Sequence, residues 1–97
     1  MDKINTITKQ AEKILAYGIN EGYMPNEGLF CNLSYYINGL MDVAMVQGMT
    51  EEEALELVIL TQETMIELLN IGHTFEDVVH FVRVYYEMTC GEAGLHP

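Results

Sequence analysis

The chain has no tryptophan, two prolines, two cysteines and only four lysines or arginines in 97 residues. Two cysteines cannot build the disulfide framework on which many small secreted domains rely, so a hydrophobic core must carry the fold. Two prolines exclude a proline-rich linker or a polyproline segment. Long apolar runs are missing too. A stretch such as Leu57 to Leu60 is far short of the roughly 20 residues that span a bilayer. The opening MDKINTITKQ has no apolar core of a secretory signal. These absences predict no membrane segment, a cytoplasmic location, and Cys31 and Cys90 as reduced thiols.

The shortage of cations excludes most. Fifteen Asp and Glu against four Lys and Arg give a formal net charge of -11. Lys3, Lys9 and Lys13 all fall in the first thirteen residues, and beyond them Arg83 is the sole cation. Binding a phosphate backbone requires several clustered Lys or Arg, so direct contact with DNA or RNA is not expected. The same field repels an anionic membrane surface and attracts a basic protein.

What is present is enough apolar material for one packed domain, at 49% hydrophobic residues. Helical periodicity recurs in four segments, at about 3–18, 27–47, 51–71 and 75–90, with a tail over 92–97. In the first, Ile4, Ile7, Ala11, Ile14 and Gly18 make a narrow apolar stripe, and Gly18 to Gly28 reads as its stop and loop. The second is apolar around most of its circumference, which places it centrally or under a second copy of the chain. Gly39 within it marks a close helix crossing. Thr50 and Glu53 form a capping box before the third segment, with Gly72 beyond its end.

The fourth, containing VVHFVRVYY, is rich in strand-favouring residues. Its polar positions Glu76, His80, Arg83 and Glu87 nevertheless recur at helical spacing. Thr74 with Asp77 supplies its cap, and Gly91 its end. Together the segments predict an all-α fold: a small antiparallel four-helix bundle or a pair of helical hairpins, self-associating as a homodimer. Asn20, Gly22, Tyr35 and Tyr36 are echoed fifty residues later by Asn70, Gly72, Tyr85 and Tyr86.

Chemistry is thinly represented. His73, Asp77 and His80 are sound metal-ligand types. The simpler reading pairs His80 with Glu76 and Arg83 with Glu87 on a solvated stripe, so no metal or other cofactor is expected. Ser34, the only serine, lies outside any nucleophile motif, and no phosphate-cradling glycine loop occurs. An enzyme is not expected. Met41, Met45 and Met49 recur every four residues, and such adaptable side chains suit a core or a protein-binding surface.

The favoured expectation is a non-catalytic acidic protein-binding module. Its carboxylates Glu52, Glu56, Glu63 and Glu67 would meet a basic partner, and Tyr36, Met41, Met45, Met49 and Tyr85 would serve self-association or a pocket. A sharper version is a phage- or mobile-element-encoded inhibitor that presents carboxylates to a nucleic-acid-handling host protein where phosphates would sit. The alternative is a small-molecule sensor or sponge whose pocket is lined by Tyr36, Met41, Met45 and Tyr85.

Overall fold

Helix boundaries follow the capping chemistry closely. In the computed structural model, which describes residues 2–95, α1 runs Lys3–Asn20, α2 Gly28–Val46, α3 Glu51–Asn70 and α4 Phe75–Glu92. His96 and Pro97, the end of the expected tail, lie outside the described residues. Asp2 accepts the Ile4 N–H at the start of α1, and Thr74 accepts the Asp77 N–H at the start of α4. At α3 the capping box is complete. The Glu53 N–H donates to Thr50 Oγ1 at 3.2 Å, and the Thr50 N–H donates to Glu53 Oε1 at 2.9 Å.

Two expected stops are misplaced. Gly18 lies inside α1, which continues to Asn20 and ends at Gly22, where φ is 101°. Gly18 is a packing residue: a Cβ there would sit 2.9 Å from Phe30 Cζ and 3.2 Å from Phe75 Cδ2. Gly91 likewise lies inside α4, and the chain turns at Gly94 instead.

The four helices form an all-α bundle with no strand among the described residues. Its main pairings join alternate helices, α1 with α3 and α2 with α4, while α2 also packs on α3. Each main pair is parallel. Lys3 reaches Glu56 near the starts of α1 and α3, and the Tyr17 hydroxyl donates to Asn70 Oδ1 near their ends. Phe30 meets Phe75 with ring centroids 5.0 Å apart, and Tyr36 meets Tyr86 further along α2 and α4 at 5.8 Å. The turns between consecutive helices reverse the chain, so alternate helices share a direction.

α2 packs on two neighbours, α4 and α3, whereas α3 contacts all three other helices, so the central element is α3 and not the more apolar α2. Phe30, Leu33, Leu40 and Val43 join Met65, Leu69, Phe75, Val78 and Val82 in the core. The expected crossing at Gly39 is present, with the Tyr86 ring lying against its Cα. α1 and α2, although consecutive, barely touch. A cleft is left between them. No helix among the described residues is long and apolar enough to cross a membrane.

Candidate functional site

The glutamates of α3 are edged by the lysines of α1. Lys3 Nζ lies 3.1 Å from Glu56 Oε2 and 3.8 Å from Glu52 Oε2. The Glu56 hydrogen bond and charge raise the Lys3 ammonium above its ordinary value of 10.5. Lys9 and Lys13 share a surface groove with Glu63 and Glu67. Glu52, Glu56, Glu63 and Glu67 therefore lie on one side of α3, as their spacing requires, but three of the four cations lie along them. Their negative field is partly cancelled at its source.

The tyrosines and methionines separate onto different faces. Tyr36 lines a shallow α2–α4 cleft with Leu29, Asn32, His80 and Arg83. It also belongs to a ring cluster with Tyr35 and Tyr86, at centroid separations of 5.5 to 5.9 Å. Hydrogen bonds with Cys90 and then Tyr35, together with burial, hold the Tyr86 phenol above its ordinary value. Tyr85 stacks on Phe81 along another flank of α4. Met41 is half-buried, while Met45 and Met49 are exposed near the end of α2.

His73 precedes the α4 cap, and the described residues contain no cluster of three His, Cys, Asp or Glu able to hold a metal. Arg83 pairs with Glu87 at 3.7 Å, but His80 and Glu76 make no ion pair within 4.0 Å. Cys31 is exposed, Cys90 is buried, and both are free thiols.

Exposed apolar side chains that were not singled out in the sequence stand on the outer sides of α3 and α4. On α3, Leu57, Leu60, Thr64, Leu68 and Ile71 fall within about 80° of one another around the axis, beside the glutamates, and Thr64, Leu68 and Ile71 share a surface groove with Glu67 and Asn70. On α4, Glu76, His80 and Arg83 mark the side turned to α2, which leaves Phe81, Val84, Tyr85 and Met88 on the other. Several of these apolar side chains are strongly exposed: Leu60 at 53%, Ile71 at 75% and Met88 at 61%. Asp77 and Glu92 share the α4 flank by their spacing, and neither flank carries a lysine or arginine. The signal was available as Phe81, Val84, Tyr85 and Met88 at i, i+3, i+4 and i+7. It was masked by the polar stripe that established the helix.

A second feature is the cleft between α1 and α2, floored by α3. It has a volume of about 210 Å³ and is lined chiefly by aliphatic side chains, with Gln62 at its floor. Gln62 is buried, and its Oε1 has no hydrogen-bond partner. Nothing in the local sequence distinguishes this glutamine from a core residue. Comparison with protein-family models, curated proteins and solved structures finds no match to this chain.

Proposed function

We propose that the protein is a non-catalytic binding module whose working surface is formed by the exposed apolar side chains of α3 and α4, and that its partner is a basic protein presenting an amphipathic segment. The observation that carries this reading is the exposure of Leu60, Ile71, Val84 and Met88, accompanied by carboxylates and free of any cation. Exposed apolar side chains on helices can anchor a partner helix. The excess of carboxylates would steer a partner with Lys and Arg on its flanks and speed encounter.

A nucleic-acid-handling protein is a partner class with suitable charge, because it exposes basic surface for phosphates. Inhibition of such a protein, by a chain carried on a phage or mobile element, is one role a binder of this kind could fill. Phosphate mimicry by Glu52, Glu56, Glu63 and Glu67 gains no support from the geometry, since Lys3, Lys9 and Lys13 run beside them. Occlusion through the apolar face fits better.

The test compares wild-type protein with the double variant Phe81→Glu, Met88→Glu in pull-downs from nuclease-treated host lysate, eluted stepwise with salt. Both positions are exposed, so the variant should keep its helical circular dichroism. Recovery of one basic protein by wild type only, released as screening rises, is the expected result. Equal recovery by the folded variant would overturn the reading. A concentration-dependent dimer that the variant loses would instead make a second copy the occupant of the face.

A further inference from the structure

We propose that the cleft between α1 and α2 takes a compact uncharged amphiphile, which puts a ring or branched chain among the buried aliphatic side chains and leaves its polar end at the mouth. The cleft exists because α1 leans on α3 and barely touches α2. Ala11 widens it, being the smallest side chain in the lining, where a larger one would carry the apolar stripe of Ile7 and Ile14 across the gap. The volume of about 210 Å³ exceeds the roughly 150 Å³ at which an apolar cavity admits benzene.

The lining is graded from inside to outside. Ile14, Leu33 and Met65 are buried, whereas Leu15, Ser34 and Asn38 are exposed. An apolar group that enters leaves water and gives these aliphatic side chains the neighbours they lack across the gap, so binding needs no directed hydrogen bond. The polar lining residues Ser34, Asn38 and Gln62 are all neutral. A charged end would give up part of its hydration between the two helices and meet no counterion there. This selection runs against the field of the whole molecule, because a net charge of -11 draws cations to open surfaces. Tighter binding of a neutral ligand than of its cationic counterpart therefore separates entry into the cleft from adsorption on acidic surface.

Benzyl alcohol and benzylammonium are the probes, since they match in shape and differ in charge. They are titrated at neutral pH into the full chain carrying ¹³C-methyl methionine, with Met65 in the cleft and Met88 on the outer side of α4 as reporters. A saturable shift of Met65 with benzyl alcohol is expected, with benzylammonium about fivefold or more weaker and no saturable shift of Met88. Ala11→Leu should occupy the cleft and abolish the Met65 response. Ser34→Trp, at an exposed position, should do the same by covering the mouth, which keeps the test decisive if Ala11→Leu does not fold. No saturable response of Met65, benzylammonium binding as tightly as benzyl alcohol, or unchanged binding in either variant that folds would each overturn the proposal. A saturable shift at Met88 alone would put the probe on the surface proposed for the protein partner and overturn it too, leaving that other reading intact.

Discussion

Two glycines in helix interiors carry the same propensity penalty and opposite packing roles. At Gly39 an added Cβ would sit 2.9 Å from Tyr86 Cζ, inside a ring that is itself held between Tyr35 and Tyr36. At Gly91, in the last turn of α4, an added Cβ meets nothing within 4 Å. Alanine gains about 1 kcal/mol over glycine in a helix, whereas overpacking a buried contact costs about 1–3 kcal/mol. Gly39→Ala should therefore lower stability by about 1–2 kcal/mol, and Gly91→Ala should raise it by about 0.5–1 kcal/mol. Urea unfolding checks this through opposite shifts in midpoint at constant slope. Stabilisation by both changes would mean that the Tyr86 ring is free to move aside. That Gly39 marks a crossing could be read from its place in an apolar helix. That Tyr86 fills the crossing could not, because adjacent tyrosines look equivalent in sequence.

At the scale of the helix, the start of α3 offers the cleanest link between sequence and energetics. Glu53 accepts from the Thr50 backbone N–H and interacts with its side chain, and these bonds lower its carboxyl below the ordinary 4.5. A folded-state value below the unfolded one means that the contribution is complete above about pH 4.5 and fades as pH falls through the lowered folded value. The stability advantage of wild type over Glu53→Gln should thus be present at neutral pH and shrink on acidification. Thr50→Ala should cost about 1 kcal/mol at neutral pH and keep most of this pH dependence, because the residue 50 backbone N–H, the larger cause of the shift, remains. Thermal melts over an acid-to-neutral series measure both effects, and a pH-independent gap for Glu53→Gln would contradict the assignment.

Such caps are local, which is why Thr50, Thr74 and Gly72 were legible as helix boundaries before any coordinates. Gly18 and Gly91 were misread for the same reason in reverse. A glycine near a helix end resembles a stop until the helix is seen to continue through it, with Phe30 and Phe75 packed against Gly18 and open space beside Gly91. The pairing of α1 with α3 and α2 with α4 depends on contacts some fifty residues apart, as between Tyr17 and Asn70, and helical periodicity does not encode them. Of the candidate surfaces, the charge of α3 was plain from its glutamates, but the lysines that flank it came from another helix.

For the molecule as a whole, the balance of charge decides the response to salt. Attractive contacts are few: Lys3 with Glu56 and Glu52, and Arg83 with Glu87, all at least partly exposed. Exposed pairs of this kind contribute about 0–1 kcal/mol each, so screening them costs little. Repulsion among the carboxylates that give the net charge of -11 acts against the compact state and is relieved by the same screening. The melting temperature should therefore be higher in about 0.5 M sodium chloride than in about 0.02 M. Lys9 and Lys13 face Glu63 and Glu67 across the α1–α3 groove, so Lys9→Glu combined with Lys13→Glu adds like charges where the two helices meet. That variant should melt lower than wild type in dilute salt and recover most of the deficit in concentrated salt. A wild-type melting temperature that falls with salt would instead make the few ion pairs the dominant electrostatic contribution. The α1 lysines would then act chiefly as a clasp on α3 rather than as a local relief of its charge.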